Sequence, residues 1–210
     1  MADSSVSRRG IRQLNRLVML TDVVYALVLW RIFQLIPHPE HTNWSPGFFL
    51  SFFADNAMTY VLALIGLAVT IIYWIQSNTL FGDLDKTDGR HTALSIVQLF
   101  CLLLFLKALR ISVEMEPSTG TRLLESAAVA LVGFVAGWGW SYAMKNRRLL
   151  NDSISDEQAL ERRDGTLAEP LTALFTIPFA FLGPWLWEAA WLAYPVAVKL
   201  LRRRRGAGRS

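Results

Sequence analysis

Apolar runs of helical length alternate with short polar pieces along this chain, and that alternation is the first thing to interpret. The runs cover about residues 17–36, 58–75, 92–109, 126–144, 171–182 and 185–200. A bilayer core of about 30 Å needs about 20 mostly apolar residues as helix, so each run is a candidate transmembrane helix. The polar pieces carry turn and breaker residues: Pro37 to Pro39, the linker 82–90, the loop 110–122, the linker 145–169 and the dipeptide Gly183-Pro184. The last two runs are short and flank Gly183-Pro184, so they are expected to form a tight helical hairpin, kinked by Pro178 and Pro195. An interfacial stretch at 48–53 is expected to lead into the second span.

Composition agrees with the membrane class. Of 210 residues, 53% are hydrophobic and only 18% charged, and the mean hydropathy is +0.32. Charge placement supplies an orientation. Arg8, Arg9, Arg12 and Arg16 precede the first run, Lys86 and Arg90 follow the second, Lys145 to Arg148 follow the fourth, and Lys199 with Arg202 to Arg205 close the last. Basic residues gather on the cytoplasmic side of membrane proteins, so both ends are expected inside, with an even count of spans. The expected fold class is an all-α membrane protein of six transmembrane helices, a multi-pass protein of the cell (inner) membrane. One domain is expected over 1–205, with a basic, disordered tail at 206–210. The same placement argues against nucleic acid as a partner and for the lipid bilayer. Cys101 is the one cysteine and lies in an apolar run, which predicts a buried hydrophobe and leaves no disulfide within the chain. The polar, basic start lacks a small-residue cleavage site, so a removable signal peptide is not expected.

Candidate chemistry is sparse. There is no phosphate-binding glycine loop, no helical pair of metal-spaced histidines and no nucleophile elbow, so neither an enzyme nor a cofactor is expected. His38, His41 and His91 read as solvated or interfacial, and 157–164 as a solvated charged face. An aromatic belt accounts for most of Trp44, Trp138, Trp140, Trp185, Trp187 and Trp191. Gly133, Gly137 and Gly139, with Ala127, Ala128 and Ala136, give the fourth run a small-residue face for close helix packing. The first run differs, because Asp22, Arg31 and Gln34 sit inside it. Ionisable residues at membrane depth cost about 2.5 to 3.5 kcal/mol each on insertion scales and are functional by default. At about 100° per residue, Leu20, Leu27, Arg31 and Gln34 share one face while Asp22 points elsewhere, so Asp22 and Arg31 cannot pair within the helix. For Arg31 the plain alternative is snorkelling to the outer interface, and for Asp22 a helix-to-helix bond near the cytoplasmic side.

Three segments resemble one known family. Arg16-Leu17-Val18-Met19-Leu20-Thr21-Asp22 resembles the Arg-x-x-x-Phe-Ser-Asp signature that opens the first helix of the transmembrane protein 175 family, the lysosomal and bacterial potassium channels. The stretch from Tyr73-Trp74 to Phe81 resembles the family's Tyr-Trp-x-x-His-His-x-x-Phe, with Ser77 and Asn78 where the histidines stand. Ile177-Pro178-Phe179-Ala180-Phe181-Leu182-Gly183-Pro184-Trp185 resembles Ile-Pro-x-Ala-Phe-x-x-Pro-Trp of the last two helices. The resemblance implies a six-helix repeat assembling with copies of itself as a tetramer, the first helix lining a central path for potassium or other monovalent ions. It implies pore-lining roles for Leu20, Val24, Leu27, Arg31 and Gln34, with Leu27 as the apolar constriction, and a network at the cytoplasmic end from Arg16, Thr21, Asp22 and Trp74.

The departures from the family set the alternatives. Arg31 and Gln34 stand where apolar residues are expected and Trp30 at the usual Thr position. Four guanidinium groups around a narrow axis, at about 6 Å and an effective dielectric near 20, repel by roughly 3 kcal/mol per neighbouring pair, and such rings favour anions. A potassium-permeable leak channel with Arg31 turned toward Glu114, Glu116 or Glu125 is one reading. An Arg-ringed pore that is anion-permeable or non-conducting is the second, and a membrane scaffold without transport is the third.

Overall fold

The structure is a computed structural model that describes residues 2–39, 45–115 and 118–207. Among these residues eight α-helices form: α1 Ala2–Phe33, α2 Pro46–Asp55, α3 Ala57–Gly82, α4 Gly89–Glu114, α5 Thr119–Met144, α6 Asp156–Thr176, α7 Pro184–Ala190 and α8 Tyr194–Ala207. Among the described residues one isolated antiparallel β-bridge joins Leu84 and Leu150. Three helices, α3, α4 and α5, are long and apolar enough to cross a membrane. Trp44, His41, Glu116 and the end of the tail at 208–210 lie outside the described residues.

Four helices, α2, α4, α5 and α6, start on a side-chain cap. Ser45 accepts from the Phe48 N–H ahead of Pro46, Asp88 accepts from the His91 N–H, and Ser118 with Thr121 forms a capping box. These caps satisfy N–H groups that have no partner in the first helical turn. The interfacial stretch is the short helix α2, which buries none of its residues.

Two expectations need correction. The linker 145–169 is not all linker, because α6 begins at Asp156, where Ser155 and Gln158 form a second capping box. The final pair of runs is not a simple hairpin of two helices. After α6 the chain tightens into a 3-10 segment over Ile177–Phe181 that contains Pro178. It then turns at Gly183, whose φ of 128° is one that side chains rarely adopt. It re-enters as α7 and breaks again at Trp191–Ala193 before α8.

The centre of the bundle is α5, packed between α4 and α6, with α1 against α3 and α4 and α8 against α6. Its most apolar stretch is 67% buried, against 33% and 39% for α3 and α4. The small-residue face explains how α6 comes so close. A Cβ on Gly133 would lie 2.6 Å from Cδ of Pro170, and one on Gly137 would lie 2.9 Å from Leu167. Pro170, inside α6, therefore fills a notch that only glycine leaves open.

A second apolar cluster closes the end where the polar linkers meet. It contains Leu14, Leu84, Trp140, Leu149, Leu150 and Ile154. Asp85 N–H donates to Leu149, Asn151 N–H to Asp83, and Thr87 N–H to Gly10. Arg162 pairs with Asp83 at 3.0 Å, so part of the segment read as a solvated charged face braces this end.

The aromatic belt is also corrected. Trp138 and Trp185 are exposed, as a belt requires, but Trp140 and Trp187 are buried. Their indole N–H groups donate to Ala159 O and Ser126 Oγ, which lets the rings enter the core without an unmet donor. His91 is buried as well, with Nδ1 2.8 Å from the Thr87 hydroxyl. Cys101 is buried and free.

Candidate functional site

The candidate site is the outward face of α1. Leu14, Leu17, Thr21, Tyr25, Val28 and Ile32 are buried, and their three- and four-residue spacing makes one stripe against α3 and α4. From Ile11 to Phe33 the remaining described side chains of the helix are exposed or half-buried. Leu20 and Leu27 are 46% and 48% exposed and Trp30 is 57% exposed, while Arg31 and Gln34 are also exposed. Val24 is half-buried and packs against the core, so it stands at the edge of this face. An unpartnered band of Leu, Val and Trp is the kind of surface that bilayers or further subunits cover.

At one end of the face, Arg31 Nη1 donates to Gln34 Oε1 at 3.2 Å. Both line a cleft of about 590 Å³ between α1 and α4, whose other wall carries Leu103, Lys107, Arg110 and Glu114. Arg110 and Glu114 pair with each other one helical turn apart. Among the described residues no carboxylate comes within ion-pair distance of Arg31 or Lys107. Glu114 thus shares the cleft with Arg31 but is committed to Arg110, and Glu125 is buried in α5. The cleft keeps an excess of positive charge.

At the other end, Trp74 Nε1 donates to Asp22 Oδ1 at 3.0 Å, tying α1 to α3 at the surface. The Thr21 hydroxyl is buried without a partner, and Arg16 is exposed, so neither joins that bond within one chain. Two bonds that were not foreseen lie just behind it. Tyr25 Oη is 3.1 Å from Ser77 Oγ, and Gln98 Nε2 donates to the same oxygen at 3.4 Å, joining α1, α3 and α4. The signal was present: Tyr25 follows Asp22 by three residues, one turn along the helix, and Ser77 is one of the two polar residues at the positions of the family's histidines.

Three further acids were underweighted. Glu125, Glu169 and Glu188 are all buried, in α5, α6 and α7. Glu169 Oε2 accepts from Gln76 at 3.0 Å, a bond between α3 and α6. The rule that singles out Asp22 and Arg31, that an ionisable residue beside an apolar run needs a reason, applies equally to these.

No protein-family model and no curated protein matches this chain. Solved structures do share its fold. One is described as a lysosomal potassium-selective channel TMEM175 homolog from Chamaesiphon minutus, with a TM-score of 0.71 at 14% identity, covering 91% of this chain and 98% of that one. Another is a threonine-to-alanine variant of the potassium channel MtTMEM175 in complex with a nanobody–MBP fusion, with a TM-score of 0.62 at 17% identity, covering 91% and 93%. The chain has the fold of these channels over nearly its whole length.

Proposed function

We propose that this chain is the pore-forming subunit of a homotetrameric, potassium-permeable leak channel in the cell membrane. The observation that carries the reading is the outward face of α1, a continuous band of exposed side chains on a helix whose other stripe is sealed into the bundle. The shared fold with potassium channels supports it. In this reading α1, α3, α4, α5, α6 and the broken α7–α8 segment are six spans, with both ends in the cytoplasm. Leu27, flanked by Leu20 and Val24, forms the apolar constriction, and Asp22 with Trp74, beside Arg16 and Thr21, fixes the helix at its cytoplasmic end. Copies of the same face, meeting about an axis, would cover what one subunit leaves exposed.

A second reading keeps the fold and changes the ion. It is favoured by the guanidinium of Arg31, which shares a cleft with Lys107 and has no ion-pair partner among the described residues. Rings of Arg select anions. Reversal potentials in planar bilayers, with potassium and chloride gradients imposed separately, test both. Reversal at the potassium potential is expected. Reversal at the chloride potential overturns the first reading in favour of the second, and silence at every voltage counts against transport. Arg31→Leu should leave a potassium current largely unchanged if the side chain stays bound to Gln34 away from the axis, and should raise it if the guanidinium faces the ions.

A further inference from the structure

A half-open pocket of about 310 Å³ lies away from α1, between α3, α5, α6 and the break that separates α7 from α8, with the exposed Leu192 at its rim. Its walls are mostly hydrocarbon, from Ile65, Val69 and Ile72 of α3 and Val129 of α5. Two carboxylates line it. Glu169 is 5% exposed and Glu188 is 9% exposed. Glu169 Oε1 and both carboxylate oxygens of Glu188 are buried with no hydrogen-bond partner. A buried polar oxygen without a partner is costly, so something must offset these three.

The chain itself does so only in part, since the charge of Arg122 reaches Glu188 through space without forming a hydrogen bond to it. Gln76 serves only the other oxygen of Glu169. Arg122, the cation nearest in role, donates to Ala180 O and to Thr119 and forms no ion pair with Glu188. The hydroxyl of Thr172, also on the wall, donates to Ala168 O of its own helix.

We propose that this cavity is a binding site for a lipophilic ammonium: a small protonated amine on a compact hydrocarbon body. The chemistry of the walls selects this class. A bare metal cation takes about six to eight oxygen ligands, and most of this lining is aliphatic. An ammonium group supplies the N–H donors that the Glu169 and Glu188 oxygens want, and its hydrocarbon body fills the space against Ile65, Val69 and Val129. The indole of Trp191, on the same wall and edge-on to Trp187 at 6.0 Å, adds an aromatic surface of the kind cations favour. The volume suits a molecule of about ten heavy atoms, near the lower end of ligand pockets.

The test uses the full chain in lipid nanodiscs and the probe 1-aminoadamantane, with adamantan-1-ol as the uncharged twin and empty nanodiscs as the partition control. The amine is expected to bind saturably, and the alcohol at least about tenfold more weakly, as is usual when a charge-assisted hydrogen bond is lost. Glu169→Gln and Glu188→Gln should each weaken the amine by a similar factor and leave the alcohol unchanged. Should Glu188→Gln fail to yield monodisperse protein, Glu169→Gln carries the test alone, since glutamine preserves a partner for Gln76. Equal binding of amine and alcohol, loss of saturation in the wild type, or an affinity unmoved by either glutamine overturns the proposal. Binding is read without ion flow, so a failure here leaves the channel reading standing, and a silent bilayer leaves this site standing.

Discussion

Polar side chains enter the apolar part of this molecule in two places, and the two are handled in opposite ways. On α1, Asp22, Arg31 and Gln34 face outward, each holding one bond, to Trp74 or to one another. In the α5 to α7 interior, Glu125, Glu169 and Glu188 face inward and are closed off by the chain. What those single bonds leave unmet in the first set is open to groups beyond the subunit, water or other copies. The second must be satisfied from within, by neighbours or by an occupant. The close helix packing falls on α5 and α6, while α1 is left open on one side.

The largest test of this contrast is Gly133→Leu. A side chain there runs into Pro170, and overpacking of this kind costs about 1 to 3 kcal/mol or more. Size-exclusion profiles and thermal melts should show loss of folded, monodisperse protein, and an unchanged melt would mean that α5 and α6 are not tightly joined. A finer test uses two adjacent residues that point in opposite directions. Tyr73→Phe removes a buried 2.8 Å bond to Val129 O, whereas Trp74→Phe removes the exposed bond to Asp22. Interhelical hydrogen bonds in membranes average about 0.6 kcal/mol and reach about 1.7. The Tyr73 variant should fall in the upper part of that range and the Trp74 variant near or below the mean. Equal losses in equilibrium unfolding would erase the distinction between inner and outer polar groups.

The smallest effect belongs to Asp88, at the polar rim ahead of α4, and it fades in acid. Burial pushes this carboxyl up, but the His91 N–H at 2.9 Å and the Tyr142 hydroxyl at 2.8 Å outweigh it and hold it below its ordinary value of 3.8. A carboxyl depressed by folding adds stability that is complete above its unfolded value and is lost as pH falls through the folded one. Asp88→Asn should therefore lower the neutral plateau slightly and flatten the acid limb below about pH 4, so that the two stability curves converge in acid. An identical acid limb in both proteins would show that Asp88 is not so held.

Much of this was legible in the sequence, and the gaps have physical causes. The apolar runs located α3, α4 and α5 because length and hydropathy are properties of a segment alone. The small-residue face of α5 was legible too, but its partner was not, since nothing in Gly133 says that Pro170 of another helix will fill the notch. The start of α6 was missed because Asp156 to Asp164 is charged, although Ser155 and Gln158 spell a capping box. Trp140 and Trp187 were misplaced because a tryptophan near a span end looks alike whether its N–H meets water or a backbone oxygen. On α1 the face was readable from spacing, whereas the commitment of Glu114 to Arg110 depends on geometry that sequence does not carry.

The unbroken length of α1 has a mechanical consequence. Its 32 residues form a rod of about 48 Å, longer than about 30 Å of hydrocarbon. If α1 crosses the bilayer as proposed, several turns of it would stand outside the lipid, joined near their foot to the α3–α4 linker where Gly10 O takes the Thr87 N–H. A displacement of that outer part would then reach Leu27 along one continuous helix.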